Sequence, residues 1–177
     1  MRQAIQTNTI AISIIKVVFG ALALWASAEV TIPLKPVPVT LQTLTMMIIG
    51  LTYTPMLAVS TISTYLLAGA SGLPVFTNFQ GGISYMMGPT CGYLVGFWFS
   101  CNFMPHFAKV YGMSVLSIFW NCLMGQALIY IPGVLWLSGF IGFEAAIYKG
   151  FVVYIPSGLI KMFILIATIR YLGVYKK

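Results

Sequence analysis

Apolar residues run through this chain in long blocks, separated by short segments rich in Gly, Pro and neutral polar residues. No Asp, Glu, Lys or Arg occurs from Pro36 to Pro105, or from Val110 to Phe143. A helix that crosses a bilayer needs roughly 20 apolar residues, so each stretch can supply one or more spans. The first block, Ile10 to Ala28, is interrupted only by Lys16, near enough to the end for its ammonium to reach the interface. The Pro-rich TIPLKPVPVT that follows cannot be regular helix, because proline lacks an N–H and disfavours helical geometry in the residue before it. Leu41 to Ala70 is uncharged but broken around Gly50 to Pro55, which predicts two helices joined by a tight turn, the first of them short. SGLPVFTNFQGG, residues 71–82, reads as a loop. Further helices are predicted over about Ser84–Met104 and Met113–Leu137, with a loop carrying His106 and Lys109 between them. A connector from Gly139 to Tyr154 leads to a last helix starting at Pro156, since proline is favoured at the first helical position. The pattern predicts an all-α membrane protein, with six transmembrane helices in a single domain over residues 1–177.

Composition strengthens that reading. The chain is 60% hydrophobic and 6% charged, with a mean hydropathy of +0.98, and a soluble domain of this length needs a far more polar surface. The net charge of +7 does not point to nucleic acid, because the cations are scattered singly and form no basic patch. They bear on topology instead. Six spans put both termini on one side, with the 53–54 and 106–112 turns. That side collects Arg2, Lys16, Lys109, Arg170, Lys176 and Lys177, against Lys35 and Lys149 opposite. The bias predicts a cell (plasma) membrane protein with both termini in the cytoplasm. The first apolar run is long enough to remain as a span, so no cleavable signal is expected. Cys91, Cys101 and Cys122 sit in apolar sequence without CxxC spacing and read as buried small residues.

The segments 29–41, 71–83 and 139–155 then face outward. Irregular backbone at membrane depth persists only where protein buries it or where it lines a cavity. Thr40, Gln42, Asn78, Gln80 and Thr90 would supply donors and acceptors for a neutral polar ligand, and Phe76, Phe79, Tyr85 and Tyr93 faces for stacking. The alternative is that Gly and Pro only make turns and the aromatics form an interfacial belt. Lys161, within IPSGLIKMFILIATI, bears on the choice. It lies about 8 Å inside a helix starting at Pro156, and an ammonium there needs a cavity, a partner or a route to the headgroups. With the free N–H groups of Ser157 and Gly158 it would make an anion site suited to a carboxylate. The alternative is snorkelling.

The sequence carries no GxxxxGK[ST] phosphate loop, no HExxH, no paired intramembrane carboxylates and no Ser/His/Asp set. Catalytic residues, metal ligands and cofactors are therefore not expected. The lone histidine, His106, reads as a solvated loop residue, and Glu29 and Glu144 as solvated at the outer surface.

The strings IPLKPVPVTLQTL (32–44), GLPVF (72–76) and GPTCGYLVGF (88–97), with GFVVYIPSGLIK (150–161), resemble the BioY family in sequence and order. These are the biotin-binding S components of energy-coupling factor (ECF) transporters. The resemblance implies a six-helix bundle holding the vitamin near its outer face, under a loop that would be Ser71 to Gln80. It implies a vitamin-uptake component that is not an enzyme, with a membrane coupling subunit and two ATPases as partners, although some BioY-like proteins lack dedicated partners. Asn78 matches a polar position that contacts biotin, and Lys161 corresponds to the family's binding lysine. Gly158 stands where the family has an aspartate, after Ser157 in place of a glycine, which leaves open a different small carboxylate ligand or a subunit that no longer binds. A small-residue face on the first helix docks S components on the coupling subunit. Gly20, Ala23 and Ser27 offer one here, with bulky Trp25 among them, and packing within the molecule is the alternative. The GLTYTP turn lacks the basic residue often found there.

Overall fold

A computed structural model describes the backbone of residues 2–171 and the side-chain environments of residues 9–171. Lys176 and Lys177 and the side chain of Arg2, which enter the charge bias, lie outside that description. The elements run α1 (Arg2–Glu29), β1 (Thr31–Ile32), β2 (Val39–Thr40), α2 (Gln42–Thr52), α3 (Pro55–Ala70), α4 (Ile83–Met86), α5 (Cys91–Tyr111), α6 (Val115–Ile141), α7 (Phe143–Gly150) and α8 (Ile155–Tyr171). Single 3-10 turns lie at Thr77–Phe79 and Val152–Tyr154. Helices α1, α2, α3, α5, α6 and α8 form the six-helix bundle, and the short α4 and α7 belong to its connections. Three stretches among the described residues, Thr9–Glu29, Val115–Ile141 and Phe143–Tyr171, are long and apolar enough to cross a membrane. The 11 residues of α2 reach only about 16 Å, near half of a bilayer core. The hairpin β1–β2 precedes it.

The break between α2 and α3 lies at Tyr53 and Thr54, with Pro55 as the first residue of α3, where its missing N–H costs nothing. Three expected boundaries shift. The helix placed from Ser84 starts at Cys91 instead, because Gly88 and Pro89 interrupt the chain after the single turn of α4. It then continues through Pro105 to Tyr111, and Asn121 of α6 donates to the Met104 carbonyl at 2.9 Å beside the proline. His106 and Lys109 are therefore on the last turns of α5 and not in a loop, and His106 Nδ1 lies 2.7 Å from the Asn102 carbonyl. The connector after Gly139 is largely helical. Gly142, at φ +82°, separates α6 from α7, which buries Ala146 and Gly150 and exposes Phe143, Glu144, Tyr148 and Lys149.

Small residues set the helix contacts. A Cβ on Gly96 would lie 2.6 Å from the Ile129 Cα, which keeps α5 and α6 in close approach. A Cβ on Gly20 would lie 2.7 Å from Thr61 Cγ2, so Gly20 closes the contact between α1 and α3. Ser27 is also buried and bonds back to the Leu24 carbonyl at 2.9 Å. Gly20 and Ser27 are thus used inside the bundle, whereas Ala23 is half-buried. Cys101 and Cys122 are buried free thiols.

Candidate ligand-binding site

Two segments that cannot be helical place the polar groups of the site. The Pro-rich run forms the hairpin, with Thr31 opposite Thr40 and Ile32 opposite Val39. Side chains just before α8 and in its second turn tie it to the bundle. Tyr154 donates its hydroxyl to the Val37 carbonyl. The Lys161 ammonium donates to the Thr40 carbonyl at 2.6 Å and to Thr43 Oγ1 at 2.8 Å. Lys161 is only 8% exposed, and a cation at such depth persists where oxygens replace its water. An ammonium carries three N–H donors. Two are engaged, and one remains for the cavity that Lys161 helps to line.

That cavity, of about 50 Å³, lies among the hairpin, α2, α3, α5, α6 and α8. Two groups of rings line it. Tyr65 meets Phe76 edge-on at 5.5 Å, and Phe76 stacks on Tyr85 at 5.2 Å. Tyr154 lies 6.2 Å from Tyr93 and 6.1 Å from Tyr130. Glycines make room for them, since a Cβ at Gly69 would fall on the Phe76 ring and one at Gly133 on the Tyr93 ring. The polar edges of the walls are held by the protein itself. Tyr93 donates to the Gly150 carbonyl at 2.8 Å. Gln42 Nε2 donates to the Tyr65 hydroxyl at 2.6 Å, which in turn donates to the Val75 carbonyl at 2.9 Å. Thr40 Oγ1 donates to Gln42 Oε1 at 3.2 Å.

Outside this cavity is a recess of about 530 Å³, lined by the hairpin loop with Asn78, Gln80, Ser84, Gly88 and Pro89. Pro38, Thr77, Tyr85 and Thr90 line both spaces and form the wall between them. Burial pushes the Tyr85 phenol above its ordinary value, so it stays a neutral O–H donor in that wall.

Of the residues expected at the site, Lys161, Thr40, Gln42, Tyr85 and Tyr93 line the cavity, together with Phe76 and Thr90. Asn78 and Gln80 line only the outer recess, and Phe79 is exposed. Ser157 and Gly158 are not among the lining residues, so Lys161 reaches the cavity without their N–H groups. Gly158 instead faces α6. Gln126 Oε1 occupies the space a Cβ there would need, with the Tyr130 hydroxyl 3.2 Å from the same point. Glu29 is not simply solvated, since it accepts the Phe79 N–H. Sequence reasoning missed Thr43, Tyr65, Tyr130 and Tyr154. A signal existed for two of them. Tyr65 continues the inward face Ala58, Ile62 and Gly69 of α3, and Tyr130 the face Gln126, Gly133 and Leu137 of α6, both at helical spacing.

Comparison with known proteins agrees with this architecture. The sequence pattern of the BioY family matches residues 1–176. The chain is 38% identical over 173 residues to the probable biotin transporter BioY of Rickettsia prowazekii, covering 98% of this chain and 89% of that protein. It is 36% identical over 149 residues to the biotin transporter BioY of Thermotoga maritima, covering 82% and 85%. The fold is similar to the crystal structure of the S component for biotin from an ECF-type ABC transporter, with a TM-score of 0.84 at 23% identity, covering 93% of this chain and 92% of that one. With a match along nearly its whole length, a relative at this identity and the same bundle, the chain belongs to the BioY family.

Proposed function

We propose that this protein binds biotin at its outer face and delivers it across the membrane, energised by an ECF coupling subunit and two ATPases. One observation carries the reading: a buried ammonium with a donor to spare lines a cavity otherwise built from aromatic rings, aliphatic side chains and neutral polar groups. Biotin presents one carboxylate, a ureido group and an apolar ring and tail. The carboxylate suits Lys161, the ureido group suits hydroxyls such as Tyr85 and Thr90, and the apolar parts suit the rings. The cavity has room for only a few waters. A vitamin therefore enters by displacing the shared wall of Pro38, Thr77, Tyr85 and Thr90, which separates the cavity from the outer recess. Purified protein in nanodiscs is expected to hold one labelled biotin per chain. No detectable binding at micromolar ligand would overturn the reading.

A second reading, a different small carboxylate, is motivated by position 158, where this chain has glycine and the family pattern has an aspartate. Competition of labelled biotin by other cyclic carboxylates decides between the two. The orientation follows from the cation bias, with both termini in the cytoplasm and the hairpin and α7 outside. In cells, Lys149→Cys should react with an impermeant thiol reagent and Lys109→Cys only after permeabilisation. The opposite pattern would invert the topology.

A further inference from the structure

Glu29 is one of two acidic residues in the chain. It closes α1, the end of a helix at which the backbone dipole disfavours a carboxylate, and the last turn of α1 has no basic residue. Its partner lies 50 residues on, where the Phe79 backbone N–H donates to Glu29 Oε1 at 3.1 Å. Asn78 and Phe79 are consecutive non-glycine residues at φ +59° and +54°. Such a backbone costs roughly 1–3 kcal/mol per residue and lasts only where its surroundings over-determine it. The Phe79 ring, 63% exposed, gives little packing. What holds the turn is the reciprocal N–H···O pair between Phe76 and Gln80, at 2.9 and 3.1 Å, and the Glu29 carboxylate. Phe76 and Thr77, at one end of this turn, line the inner cavity, and Asn78 and Gln80 line the outer recess.

We propose that Glu29 is a positioning residue for ligand binding: through the Phe79 N–H it ties residues 76–80, the cover of the cavity, to the end of α1. Losing the grip frees the turn that carries Thr77, the wall residue between the two spaces that lies within it. The role in binding rests on the reading of the cavity as the biotin site. The grip itself is read without ligand.

The experiment follows amide hydrogen exchange at residues 76–82 in nanodiscs, together with the biotin dissociation rate. Glu29→Ala should speed exchange at Phe79 and Gln80 about tenfold, the effect of losing a hydrogen bond to a charged acceptor, and speed dissociation by a similar factor. Glu29→Gln retains an acceptor oxygen at the same reach but not its charge, and should fall between wild type and Glu29→Ala. Adding Phe79→Gly to Glu29→Ala should recover part of the slow dissociation, because glycine adopts positive φ without strain. Exchange and dissociation unchanged in Glu29→Ala would overturn the proposal, as would Glu29→Gln behaving like Glu29→Ala. If wild type binds no biotin, the functional reading fails, while exchange in the unliganded proteins still decides whether Glu29 holds the turn.

Discussion

Replacing Lys161 by methionine separates the two roles of the ammonium. The substitution keeps an unbranched apolar stem of similar length and removes the charge. In the folded protein it removes the bonds to the Thr40 carbonyl and Thr43 Oγ1, but also the penalty of burying a cation. The apolar stem relieves the desolvation of a buried charge, but the Thr40 carbonyl and Thr43 hydroxyl lose their donor, and a buried polar group left unpaired costs about 1–3 kcal/mol. Thermal unfolding of Lys161→Met should therefore lie at or below wild type. Binding is a separate readout. Loss of a charge-assisted hydrogen bond to a carboxylate costs about 1.5–3 kcal/mol, which corresponds to roughly a 10- to 150-fold rise in Kd. Titration with biotin and with its neutral methyl ester completes the test. Wild type should prefer the acid, and Lys161→Met should bind acid and ester alike. If the variant loses the same factor for both, the lysine acts only by holding the hairpin. If its affinity for biotin is unchanged, Lys161 does not meet the ligand.

Gly158→Asp alone should destabilise the protein by about 1–3 kcal/mol, the usual effect of overpacking a filled site, because Gln126 Oε1 stands where its Cβ must go. Combining it with Gln126→Ala should recover most of that loss in thermal unfolding, and additive losses would show that the two residues do not share a space. Gly20→Leu should lower the stability of the isolated protein by separating α1 from α3, without any partner present. An unchanged unfolding temperature together with lost assembly on a coupling subunit would return Gly20 to a docking role.

Much of the architecture was legible because a bilayer imposes a simple rule. Long uncharged blocks become helices, and the Pro-rich run and the 71–82 segment could not. The errors fall where local signals compete with tertiary contacts. Pro105 read as a helix end, yet α5 passes through it, with Asn121 of α6 bonded to the carbonyl just ahead. Gly139 read as the start of a connector, yet α6 continues to Ile141. At the site, Lys161 was conspicuous because a lone cation in an apolar helix demands a partner. Its partners, a carbonyl and a hydroxyl about 120 residues earlier in the chain, leave no trace in spacing. Tyr154 escapes notice for a related reason: it lies in the single 3-10 turn before α8, where no helical spacing marks the face it presents. Glu29 reads as solvated because nothing near it in sequence needs an acceptor, and its partner, the Phe79 N–H, lies 50 residues on.

A structure of the protein with biotin bound, solved in a bilayer mimic, tests the central claim most directly. The account predicts the ligand rings between the Tyr65–Phe76–Tyr85 and Tyr93–Tyr130–Tyr154 groups, with a carboxylate oxygen about 2.8 Å from Lys161 Nζ. Biotin held only in the outer recess, with its carboxylate on Lys35 and the inner cavity unchanged, would contradict it.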